Sequence, residues 1–186
     1  MQLSELYKST EEKMSKAVDA VEHEFSGLRT GRASVALIDG VQVEAYGSRM
    51  PLKQVATIST PDARTLVVQP FDKNMMSAIE KAILASNLGM TPNNDGKLIR
   101  LNIPPLTEDR RKDLVKMARK MAEDGRISVR NIRRNANDEI KKIEKDNDIA
   151  EDEREKANKH VQDLTDKYVK EIDSALAKKE KDVMEI

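Results

Sequence analysis

Ile103-Pro104-Pro105-Leu106-Thr107-Glu108-Asp109-Arg110-Arg111-Lys112 is where this chain changes from one kind of structure to another. Upstream, Leu98-Ile99-Arg100-Leu101-Asn102-Ile103 alternates as a strand does. Pro105 holds its predecessor out of helical geometry. Thr107 then caps a helix whose first turn carries Glu108 and Asp109, where the macrodipole favours anions. The helical pattern runs to about Lys145 and is broken at Asp146-Asn147-Asp148. Gly125 sits inside it at a cost of about 1 kcal/mol relative to alanine. A last helix spans roughly Glu151 to the C-terminal end, with Ala157, Val161, Leu164, Tyr168, Ile172 and Leu176 inward.

Composition marks the other boundary. Residues 31–106 hold all six prolines, five of the seven glycines and only 8 basic and 6 acidic residues, against 25 and 27 in the remainder. Before them, Tyr7, Met14, Val18, Val21, Phe25 and Leu28 follow the 3-and-4 spacing of a bundle seam. This spacing predicts one long helix stopping at Thr30-Gly31, with Gly31 as a left-handed cap. The expected architecture is therefore α+β: a three-helix bundle, discontinuous in sequence (1–30 and 107–186), interrupted by a small, mostly β module over 31–106. At 186 residues the chain is long enough for a core in each.

Within the module, Val41, Val43 and Ala45 alternate ahead of a Tyr46-Gly47-Ser48 turn. Val55-Ala56-Thr57-Ile58-Ser59 and Thr65-Leu66-Val67-Val68 read as strands around a Pro61-Asp62-Ala63 turn. Asp72 caps a helix over about 73–86 that buries Met76, Ile79, Ala82 and Ile83, and Pro92-Asn93-Asn94-Asp95-Gly96 reads as a loop. Two short crossings, Arg29-Thr30-Gly31-Arg32 and Ile103 to Thr107, join module and bundle. Paired Gly- or Pro-rich crossings make a natural hinge at Arg29, Thr30, Gly31, Arg32, Pro104 and Pro105.

The charge sums to zero but is sorted along the chain. Residues 110–134 carry ten basic and three acidic side chains, whereas 146–186 carry 8 basic and 13 acidic. On the long helix Arg126, Arg130 and Arg133 stand at i, i+4 and i+7, with Arg119 and Lys112 upstream on the same side. Leu114, Ala118, Met121, Val129 and Ile132 project from the other side. A solvated face pairing with the acidic last helix is the ordinary reading of such a run. The predominance of arginine, whose planar fork binds phosphate bidentately, and its position away from the core point instead to a polyanion. With three Tyr, two Phe and no Trp, base stacking is not expected, and folded RNA read through its backbone suits the stripe better than a single strand. The alternative is a helical adaptor that docks acidic protein partners.

Nothing points to catalysis. There is no cysteine, and His23 and His160 lie on helices without neighbours of metal-ligand type. No phosphate-cradling glycine loop or nucleophile elbow occurs, so no enzyme, metal or cofactor is expected. Glu151-Asp152-Glu153 is an acidic helix start. The N-terminus lacks the form of a signal peptide and no apolar run approaches a membrane span, so a cytoplasmic protein is expected, and a monomer is expected besides.

Three separated segments carry a family likeness. Leu28-Arg29-Thr30-Gly31-Arg32-Ala33-Ser34, Pro104 to Lys112, and Arg126-Ile127-Ser128-Val129-Arg130-Asn131-Ile132-Arg133-Arg134 resemble the hallmark segments of ribosome recycling factors. Asp39-Gly40 and Ala85-Ser86-Asn87-Leu88-Gly89 also match, and the likeness runs the whole length in order. It implies an L-shaped, two-domain molecule that disassembles the post-termination ribosome together with elongation factor G. It also implies binding to large-subunit ribosomal RNA, not DNA or membrane, through Arg29, Arg32, Arg111, Arg130 and Arg133. Arg126 and Arg134 join that face from the stripe itself.

Overall fold

A computed structural model describes residues 2–28, 30–146 and 149–185. The chain divides into two compact units, one formed by Met1–Arg29 with Asp109–Glu185 and the other by Thr30–Glu108.

The first unit is a bundle of α1 (Leu3–Ser26), α4 (Glu108–Lys145) and α5 (Glu151–Met184). Leu6, Thr10, Met14, Val18, Val21 and Phe25 form the buried seam of α1. Tyr7 is only half-buried, so the seam opens on Leu6 rather than on the tyrosine. The expected end of this helix is corrected. It closes at Ser26, and Gly27 caps it in right-handed geometry (φ −74°), its N–H donating to the Glu24 carbonyl while the Leu28 N–H donates to that of Phe25. Gly31 does adopt a left-handed φ of +72°, but past the helix, where it turns the chain. Ser26 brings the stop forward by turning its hydroxyl back onto the His23 carbonyl at 2.6 Å, a local bond that competes with helix continuation.

Side-chain pairs give the helix directions. Lys167 and Tyr168 of α5 both donate to the Glu11 carboxylate (3.2 and 3.0 Å), and the His160 ring lies 4.1 Å from that of Tyr7. Residue numbers rise together along both helices, so α1 and α5 are parallel. Against α4 they run oppositely: Arg119 meets Glu180, Arg126 meets Asp173, and Arg154 meets Glu144. The Arg154–Glu144 pair bridges the α4–α5 connection. Glu153 caps α5 by accepting from the Ala150 N–H at 3.1 Å. Of the break expected at Asp146-Asn147-Asp148, Asn147 and Asp148 lie outside the described residues, while the Asp146 N–H still bonds to the Lys142 carbonyl.

Gly125 is explained by packing. A Cβ built there would stand 2.3 Å from Val21 Cγ2 and 3.3 Å from Ile172 Cδ1. Three helices meet at a point with no room for a methyl group. The helix-propensity cost of glycine is offset by the close approach it allows.

The second unit has its own core. The strands β1 (Gln42–Ala45) and β2 (Ser48–Pro51) form a hairpin whose turn residues Tyr46 and Gly47 both have positive φ (53° and 80°), as a two-residue turn between twisted strands requires. A single helical turn, α2 (Leu52–Val55), precedes β3 (Ala56–Asp62) and β4 (Thr65–Pro70). After α3 (Met76–Ala85) come β5 (Pro92–Asn94) and β6 (Ile99–Asn102), and the antiparallel sheet runs β3-β4-β6-β5. Leu66 faces Leu101 and Val68 faces Ile99, all fully buried with Ile38, Ile79 and Ile83.

Four sequence expectations need correction here. Val55 belongs to α2, because the residues after Pro51 wind one turn before the strand begins. Pro61 and Asp62 lie in β3, which continues past a register shift, and the turn falls at Ala63-Arg64, where Asp62 accepts from the Arg64 N–H at 2.8 Å. Pro92–Asn94 is an edge strand, a place that tolerates proline; the loop begins only at Asp95. Ala82 is half-buried, leaving Met76, Ile79 and Ile83 as the face of α3, while Asp72 caps a short 3₁₀ turn by accepting from the Asn74 N–H.

Gly125→Ala is expected to lower the melting temperature of the full chain. Alanine gains about 1 kcal/mol in helix propensity, but overpacking a filled seam costs about 1–3 kcal/mol. Val21→Ala should couple to it, so that the double variant loses less than the sum of the single losses. Thermal unfolding of the four proteins measures this, and a melting temperature at or above the parent's would mean that the seam has room.

Candidate nucleic-acid interface

With Gly125 turned inward, the 100° step of an α-helix sets every neighbour on α4. Leu114, Ala118, Ala122, Val129, Ala136, Ile140 and Ile143 share its buried face, with Met121 and Ile132 half-buried at the margin. Arg126, Arg133 and Arg119 border that face on the side of α5. Arg130, Arg134, Lys116 and Lys120 are carried outward and are exposed.

This placement separates the arginines by role. Arg126 is half-buried, its side chain 19% accessible, and it donates to Asp173 of α5 at 2.7 Å and to Glu123 at 2.8 Å. Burial disfavours its charge, but the two carboxylates outweigh that and raise its pKa. Arg119 bonds Glu180 at 2.6 Å, which raises its pKa as well. Arg111 is half-buried and donates from Nη1 to the Met184 carbonyl at 3.3 Å, a cation set on the negative end of α5. The expectation that position away from the core leaves these side chains to a polyanion is therefore corrected for Arg111, Arg119 and Arg126. Arginine is long enough to cross the α4–α5 seam, and the acidic last helix supplies Asp173 and Glu180.

What remains cationic is narrower. Arg133 donates to the Gln162 amide oxygen at 3.1 Å, a partner that carries no charge. Arg130 has only a long contact of 3.5 Å to Glu123, a carboxylate already held by Arg126. Arg134, Lys116 and Lys120 have no ion pair among the described residues. The two lysines did not stand out in the sequence as a binding set. Their signal is the outward line 116–120–127–130–134 at helical period, which becomes visible once Gly125 fixes the rotation of α4.

The other expected residues are dispersed. Arg29 lies outside the described residues, both as a hinge and as an RNA-binding position. Arg32 is exposed but belongs to the second unit. Among the described residues no group of three His, Asp or Glu could hold a metal ion, and no helix is long and apolar enough to cross a membrane.

Arg126→Ala is expected to destabilise the bundle by about 1–2 kcal/mol, since charged hydrogen bonds are lost and Asp173 is left without its partner. Arg134→Ala should stay within about 0.5 kcal/mol of the parent. Denaturant unfolding of both variants checks the difference; equal losses would remove the distinction between seam and free arginines.

Comparison with known proteins places this geometry. The family model described as ribosome recycling factor matches residues 21–184. The ribosome-recycling factor of Rickettsia felis is 58% identical over all of both chains, and that of Fusobacterium nucleatum is 57% identical over 97% of this chain and 96% of its own. A solution structure of ribosome recycling factor matches with a TM-score of 0.74 at 44% identity, covering 100% of this chain and 99% of that one. A second solved structure matches at TM-score 0.65 and 48% identity over 99% of this chain and all of that one. It is described as models for the T. thermophilus ribosome recycling factor and the E. coli elongation factor G bound to the E. coli post-termination complex.

Proposed function

The chain belongs to the ribosome recycling factor family, and we propose that it disassembles the post-termination ribosome together with elongation factor G, holding large-subunit ribosomal RNA with the outer face of α4. The face that stays cationic once the ion pairs are drawn supports this. Arg130, Arg133, Arg134, Lys116 and Lys120 project from one helix with no carboxylate of α5 against them. Guanidinium forks and ammonium groups spaced along a rigid helix suit phosphates spaced along a folded RNA backbone. Each phosphate contact releases counterions, so binding falls steeply with salt. The likeness to the recycling factor described with elongation factor G on the post-termination complex supports the choice of partner.

In this reading Arg126 and Arg111 serve the RNA face indirectly, by locking α5 against α4. The family likeness supports Arg29 and Arg32 as further RNA-binding positions. The protein forms and breaks no covalent bond. It works in the cytoplasm as a monomer, a lever whose bundle is anchored on RNA while elongation factor G displaces the second unit. The crossings at 29–32 and 103–107 serve as the hinge. Gly31 contributes a left-handed turn to the first crossing.

Arg130→Ala combined with Arg133→Ala is expected to weaken binding to purified large subunits by at least tenfold, roughly what the loss of two phosphate contacts gives, with helicity unchanged. Unaltered affinity in a folded double variant would falsify the RNA-face assignment. The hinge has a separate test, because proline at position 31 would clash with its positive φ and confound the result. Two glycines inserted after Pro105, which loosen the crossing, should spare both large-subunit binding and subunit splitting with elongation factor G and GTP. Loss of splitting by a folded, subunit-binding variant would mean that the crossing acts as a stiff joint and not as a hinge.

A further inference from the structure

The outermost line of α4 is not purely cationic. At its centre stands Ile127, 46% exposed, between Lys116 and Lys120 on one side and Arg130 and Arg134 on the other. A β-branched residue is a poor choice for an exposed helix position, where lysine, glutamate or alanine favours the helix more. Its neighbours do not cover it: Glu123, which flanks it one turn back, is drawn toward Arg126 and Arg130. Elsewhere in the bundle, among the described residues, large apolar side chains stand exposed only at Met117, on another side of α4, and at Met184, the last residue of α5.

We propose that Ile127 is the apolar contact of the RNA face, seated on a ribose or on the face of a splayed base while the four flanking cations hold the phosphates on either side. This rests on the assignment of α4 to RNA made above. The occupant follows from charge complementarity. A protein surface that received Ile127 would also have to receive Lys116, Lys120 and Arg134, which have no ion pair among the described residues, and Arg130, held only by a long contact to Glu123, all within about three turns. A folded nucleic acid presents apolar sugar and base surface between phosphates at that scale. Cations alone bind any polyanion of suitable spacing, whereas an apolar contact between them rewards one local shape, so Ile127 supplies selectivity that the lysines and arginines lack.

The test is binding of the full chain to purified large ribosomal subunits across a salt series. Ile127→Ala should weaken binding about fivefold to tenfold, the scale of losing a buried branched side chain. It should leave the slope of log affinity against log salt unchanged, because no phosphate contact is lost. Ile127→Met, which keeps apolar reach, should recover most of the affinity. Arg134→Ala should behave differently, lowering the slope by about 0.9. Parent-like binding by Ile127→Ala, beside a weakened Arg134→Ala, overturns the role of Ile127 while leaving the RNA face standing. A parent protein whose binding shows no salt dependence overturns both.

Discussion

The contact between the backbone of α4 at Gly125 and the side chains of Val21 and Ile172 governs much of this molecule. It leaves no space for a Cβ, so α4 cannot roll about its axis without opening the seam or driving backbone into a valine. Rolling by one residue would turn Arg126 inward and carry Arg130 toward the seam. The distribution of charge over the bundle surface thus depends on an apolar contact on the opposite side of the helix. Glycine here acts through the fit it permits, and a steric constraint decides an electrostatic pattern.

That pattern has two parts with different physics. The Arg119–Glu180 and Arg126–Asp173 pairs tie α4 to α5 and use up charge that a count along the sequence assigns to a ligand. The outward cations are screened by solvent and carry little stability of their own. Helicity and helix contacts depend on the first set, and attraction for a polyanion on the second. Substituting arginines on α4 without this distinction would confuse a loosened bundle with a weakened interface.

The discontinuous bundle and inserted β module were legible because helical and strand periods differ and because proline and glycine crowd into one segment. Less visible were elements whose residues lack a period. Ser48-Arg49-Met50-Pro51 is polar and ends in proline, yet it is β2 because the hairpin turn at Tyr46-Gly47 forces it beside β1. Pro92-Asn93-Asn94 forms a strand only because β6 offers an edge. On α4 the arginine spacing was plain, but which arginines stay free depends on carboxylates 47 and 61 residues away in sequence. No local pattern encodes that. Gly125 looked like a defect for the same reason: its partners Val21 and Ile172 lie far along the chain.

The order in which the chain is made gives the parallel pairing of α1 with α5 a further meaning. Glu11 meets Lys167 and Tyr168 across more than 150 residues, so α1 emerges with an apolar seam and no helix to cover it. The second unit, whose buried core closes with Ile103, can condense before α4 is complete. Until α5 arrives, the seam of α1 and the inner face of α4 lack the third wall, and closing so long a loop is entropically slow. A chain folding in that order would present one finished unit and two uncovered amphipathic helices, apolar surface of the kind that favours aggregation.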